Sequence, residues 1–166
     1  WFLSHRLGAS GTMSAKAQAG SLVHRIAEEN AEHWSLDRAM DQLDAEWATI
    51  SFDYEWESRA VLENCREGLR RLDGWLMQSS HRELVGTEVP VTHVFDLPSA
   101  VVHISGSIDR LERDNAGNHI VIDYKTGTKL PGKMNPHVIQ VAIYQAALAE
   151  GDENRRAVDA VSYTHL

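Results

Sequence analysis

Residues 106–127, GSIDRLERDNAGNHIVIDYKTG, place two acids and a lysine inside two apolar, strand-like runs. Asp109 follows Ile108, Asp123 follows Ile122, and Lys125 stands two residues further on. Charges are costly to bury unless they are paired or hold a cation, so their presence in strands asks for a reason. Asn115, Ala116 and Gly117 separate the two runs. A loop of this length suggests a hairpin with a type I turn closed by a left-handed glycine. With Asp114 and Asn118 paired across that loop, each further pair keeps the same sum of residue numbers. Asp109 is then expected to face Asp123. Strand side chains alternate between faces, which puts Lys125 on the same face as Asp123.

Cross-strand neighbours lie about 5 Å apart at Cβ. Two unpaired carboxylates at that distance repel, and one of them holds its proton more tightly. A divalent cation between them removes the penalty, and magnesium takes oxygen ligands while keeping several waters and phosphate oxygens. A neighbouring lysine can orient an attacking water or stabilise charge growing on phosphorus. An Asp-x-Lys triplet alone is a common accident, and a surface ion pair would account for it. The matched position of Asp109, with the small Gly106 nearby, is what favours a metal site.

Outward from the hairpin, the pattern is helices, three strands, a helix and a strand. Residues 8–19 are small and polar and read as a loop. From Gly20, Leu22, Val23, Ile26 and Ala27 recur at helical spacing. Ser35 suits an N-cap for a second helix, and a third runs from about Glu57 to Gln78. The run ELVGTEVPVTHVFDL reads as an edge strand, because Pro90 would interrupt a central one. NPHVIQVAIYQAALAEG reads as a helix with Pro136 in its first turn, ending before Gly151, and AVDAVSYTHL returns to strand. The expected fold is an α/β domain with a mixed central sheet and an N-terminal helical region. It is read as one domain over 1–166, helical over about 20–80 with the sheet core over about 83–166.

Composition narrows the function. The net charge of −8 argues against strong sequence-independent binding to nucleic acid, which rests on Lys and Arg neutralising phosphates. If the domain handles nucleic acid, metal ions or a larger parent protein must supply part of the grip. The abrupt apolar opening WFLSHRLGA and an ending inside a strand-like run suggest an excised fragment. No apolar run approaches the ~20 residues needed to span a bilayer, so no membrane is expected. The single cysteine, Cys65, allows no internal disulfide, and a reducing, cytoplasmic setting is the default. Without a G-x-x-x-x-G-K-[ST] motif, ATP is not used within these residues.

Together these residues resemble the PD-(D/E)XK nuclease signature. More narrowly, GSIDRLER…VIDYKTG looks like the RecB-family version, a G-x-x-D-R segment followed by D-(Y/F)-K-T-G. GSLVHRIAE resembles the upstream G-x-x-x-H helix, and QVAIY the downstream Q-x-x-x-Y motif. The opening is also similar to the nuclease-domain start of actinobacterial UvrD/Rep-type, AdnAB-like helicase–nucleases.

The resemblance implies a restriction-endonuclease-like core and hydrolysis of DNA phosphodiesters with Mg2+ or Mn2+. It implies Asp109, Asp123 and Lys125 as the catalytic set. Metal ligands would be Asp109, Asp123, the Tyr124 backbone carbonyl and His24. Imidazole suits manganese better than magnesium, so manganese is expected to support activity at least as well. Gln140 and Tyr144 would steady Lys125 and contact the DNA backbone, and Glu88 would stand behind the metal ligands. Read by themselves, Arg110 and Lys129 are reasonable phosphate contacts, with plain solvent exposure as the default for each. Implied partners are DNA, as a single strand or duplex end, helicase motor domains, and possibly a partner subunit. The implied activity is that of an exonuclease in double-strand-break repair; a non-catalytic DNA-binding or scaffolding domain is the alternative. Several relatives hold an iron–sulfur cluster through four cysteines around the core, and this fragment, with Cys65 alone, cannot assemble one.

Overall fold

The computed structural model describes residues 13–125, 136–151 and 162–165, with side chains over 13–125 and 139–149. The opening WFLSHRLGA, Lys129 and the Thr126-Gly127 end of the lysine motif lie outside the described residues. Helix α1 spans Ala15–Glu29, α2 Leu36–Trp47 and α3 Glu55–Gln78. The loop expected over 8–19 is therefore corrected from Ala15 onward. Ser14 caps α1, its Oγ accepting from the Ala17 N–H at 3.3 Å, and Ala, Lys and Gln in the first turns are good helix formers. Ser35 caps α2 as expected, accepting from the Arg38 N–H. Val23, Ile26, Ala39, Leu43, Leu69 and Leu72 are fully enclosed where the three helices meet. Trp34 and Trp47 sit at the rim, donating from Nε1 to Asp73 and Ser58.

Strands β1 (Glu83–Leu97), β2 (Ala100–Arg113) and β3 (His119–Lys125) precede α4 (Pro136–Gly151) and β4 (Ser162–His165). The sheet order is β1-β2-β3-β4. The first three strands are antiparallel and β4 runs parallel to β3, so the sheet is mixed. Pro90 lies on the edge strand, where its missing N–H leaves no central ladder bond unmade.

Strand β3 is buried on both faces, as a central strand of an α/β layer must be. Ile120, Ile122 and Tyr124 join the core of α1–α3, while Val121 joins Leu111, Val141, Tyr144 and Leu148 under α4. Helices thus cover both faces of the sheet, and the β2–β3 hairpin lies between the two cores. Among the described residues, no helix is long and apolar enough to cross a membrane.

Candidate metal centre

The β2–β3 turn forms as its residues dictate. The Asp114 N–H donates to the Asn118 carbonyl at 3.0 Å, and Gly117 adopts φ +86°, a conformation that side-chain-bearing residues rarely take. Asp114 Oδ1 also accepts from the Ala116 and Asn118 N–H groups, fixing the loop. The ladder pairs Arg113 with His119, Glu112 with Ile120, Leu111 with Val121 and Arg110 with Ile122. This is the register expected from counting, and the next step brings Asp109 level with Asp123.

There the backbone ladder stops. In its place Asp109 Oδ2 accepts the Tyr124 N–H at 2.6 Å, so a carboxylate closes the gap between strands. Within a strand, the N–H and C=O of one residue serve the same neighbour, so the Tyr124 carbonyl also opens toward β2. Lys125 Nζ lies 2.6 Å from Asp123 Oδ2, which confirms that both side chains share a face. The contact is between charges and lacks hydrogen-bond alignment, leaving the buried Asp123 Oδ2 without a hydrogen-bond partner. His24, from α1, places Nδ1 3.7 Å from Asp109 Oδ2 and its ring edge-on to Tyr124.

Electrostatics follow from this crowding. Burial pushes the Asp109 carboxyl up to about 7, and the nearby Asp123 charge pushes the same way. The Tyr124 N–H and the Lys125 ammonium oppose them, and Glu88 adds a smaller upward push. A part-buried acid that holds its proton near neutrality, beside a buried carboxylate whose Oδ2 is met by the Lys125 charge alone, suits a divalent cation. Among the described residues, no three His, Cys, Asp or Glu side chains gather closely enough to hold a metal by themselves. The donor set therefore suits an ion that takes one or two carboxylates and fills its shell with water and substrate phosphate, as magnesium does.

The remaining expected residues divide. Gln140 Nε2 donates to Tyr144 Oη at 3.3 Å, one turn along α4. Tyr144 packs over Gly106, where a Cβ would lie 2.9 Å from its Cζ and 3.1 Å from its Cε1. The glycine of the first motif thus makes room for the tyrosine of the last, a contact that spacing alone does not reveal. Glu88 falls between the Thr87–Arg110 and Val89–Ile108 pairs, alongside Asp109, and takes φ +45°. For glutamate that is a strained conformation, of the kind concentrated at functional sites.

Arg110 is a correction. It is buried, and its Nε donates to Glu112 Oε1 at 2.6 Å, so the guanidinium faces the helical core and is not on a surface that a phosphate could reach. Strand alternation was the available signal, since the residue after Asp109 must point to the other face. The arginines of α3 are also engaged within the fold, Arg66 with Asp44, Arg70 with Glu63 and Arg71 with Glu67.

A mixed sheet between helical layers, with two acids and a lysine converging where a central hairpin splays, defines an α/β protein with a restriction-endonuclease-like core. A family model described as the PD-(D/E)XK nuclease superfamily matches residues 1–166, and the chain belongs to that superfamily. Comparison with solved structures finds similarity to the crystal structure of SSO0001, at 20% identity and a TM-score of 0.36 over 89% of this chain. The chain spans 62% of the length of that protein. Comparison with curated proteins gives no match.

Proposed function

We propose that this chain is a divalent-metal-dependent deoxyribonuclease. It would act as the exonuclease module of a RecB-like, cytoplasmic helicase–nuclease that processes double-strand breaks. The observation that carries the reading is the convergence of Asp109, Asp123 and Lys125 at the open end of the β2–β3 ladder. Superfamily membership supports metal-dependent nuclease chemistry in general. The ordered His24, Asp109, Asp123-Tyr124-Lys125 and Gln140–Tyr144 motifs support the narrower RecB-like assignment.

Asp109 and Asp123 would hold the cation, with the Tyr124 carbonyl and His24 completing the protein's share. The bound ion, Mg2+ or Mn2+, supplies Lewis-acid polarisation of the phosphodiester and offsets its charge. Lys125 orients the water for in-line attack on phosphorus and balances negative charge that grows on the phosphoryl oxygens. Gln140 and Tyr144 steady the lysine and meet the DNA backbone, and Glu88 stands beside Asp109. The net charge of −8 makes DNA affinity depend on the cation and on motor domains or a partner subunit that deliver the strand.

Cleavage of labelled single-stranded and end-labelled duplex DNA with manganese tests the reading. Activity lost in Asp123→Ala is the expected result. Binding of DNA with no cleavage under any divalent cation would instead favour the scaffolding alternative.

A further inference from the structure

The strands that carry the two carboxylates bear a second set of polar groups on their other face. Arg110 follows Asp109 and Tyr124 follows Asp123, so both turn toward α1–α3. There Arg110 and Glu112 lie opposite Ile122 and Ile120, in the same layer as Tyr124. Arg110, Glu112 and Tyr124 retain only 7%, 2% and 2% of their surface. Arg110 Nε donates to Glu112 Oε1 at 2.6 Å. Arg82 approaches Glu112 Oε2 at 3.8 Å from the loop before β1, its guanidinium lying over the Trp75 ring. Tyr124 touches the site twice: its backbone N–H holds Asp109 Oδ2, and its ring meets His24 in a T-shaped contact, while its buried hydroxyl has no hydrogen-bond partner.

A buried ion pair is weak evidence for stability, because an apolar pair of similar volume is often as stable or more so. Its cost calls for another role, and its position supplies one. Arg110 stands one residue beyond Asp109, at the last backbone pair before the ladder opens, and its bond to Glu112, two residues on, fixes its side chain on that end of β2. The contact runs through the Nε–H of a planar guanidinium, whose direction is fixed by the group's geometry in a way a freely rotating ammonium's is not. Glu112 Oε2 has no hydrogen-bond partner.

We propose that the Arg110–Glu112 pair, together with the Tyr124 ring, is a positioning device that sets the spacing and aim of Asp109 and Asp123 for the cation. This inference rests on the metal-dependent reading above. Groups that orient metal ligands typically change affinity or activity by about 10–100-fold when removed.

The test uses the whole chain and reads manganese affinity by calorimetry beside urea stability. The pair is replaced by apolar residues in Arg110→Met/Glu112→Leu, and by a fork-less cation in Arg110→Lys. The expected result is near-normal stability in the double variant with manganese bound at least ~10-fold more weakly. Arg110→Lys, which keeps Glu112 compensated, is expected to stay folded and to bind manganese more weakly too. Affinity within twofold of the parent in any folded variant overturns the proposal. A parent chain that takes up no manganese overturns the metal reading itself, a separate outcome.

Discussion

Replacing Gly106 with alanine tests the link between the first and last motifs. The new Cβ would lie 2.9 Å from Tyr144 Cζ and 3.1 Å from Cε1, with Oη nearer still. Carbon atoms prefer about 3.5–4.0 Å, so the ring must withdraw by roughly 0.5–1 Å. It cannot do so freely, because Tyr144 is buried in one cluster with Ile108, Val141 and Leu148. Overpacking of this kind costs about 1–3 kcal/mol. Relief of glycine's backbone freedom in the unfolded chain returns about 0.5–1 kcal/mol. The net expectation is a loss of about 1 kcal/mol, within a range of ~0–2.5 kcal/mol. In a Tyr144→Leu background the clash is gone, and Gly106→Ala should become neutral or stabilising by about 0.5 kcal/mol. Urea denaturation of the four proteins gives the coupling energy, expected at about 1–3 kcal/mol for residues in contact. If Gly106→Ala costs the same in both backgrounds, the contact does not explain the glycine.

Two further outcomes follow from the geometry. At Glu88, φ +45° inverts the usual preference, so Glu88→Gly should be more stable than Glu88→Ala by about 0.5–1 kcal/mol, where an ordinary strand position favours alanine. Urea midpoints showing the alanine variant ahead would count against the strain. Asp109 has a folded pKa of about 7, raised from 3.8, so the folded state holds its proton more tightly than the unfolded chain. Its contribution to stability is then fully present below about pH 4 and fades as pH rises through about 7. Measured without metal, stability should fall over that window more steeply in the parent than in Asp109→Asn. Equal slopes would show that the carboxyl is not destabilised by burial.

Much of the architecture was legible along the chain because it rests on local rules. Ser35 capping α2, the left-handed Gly117, Pro90 on an edge strand and the β2–β3 register each follow from backbone preferences spanning a few residues. The register in turn implied that Asp109, Asp123 and Lys125 converge, since alternation in a strand is nearly rigid. The start of α1 is hidden from periodicity because small residues such as Ala15 and Ala17 carry no apolar pattern, and the Ser14 cap is its one local mark.

What lay beyond the sequence depended on which surfaces meet after the chain folds back on itself. That the ladder opens at Asp109, with its carboxylate taking the Tyr124 N–H, depends on how the strands splay between two helical layers. The fit of Gly106 under Tyr144 joins residues from β2 and α4, and the burial of Arg110 against Glu112 needs the three-helix core above it. Such contacts are set by packing between distant segments, where no local preference decides the outcome.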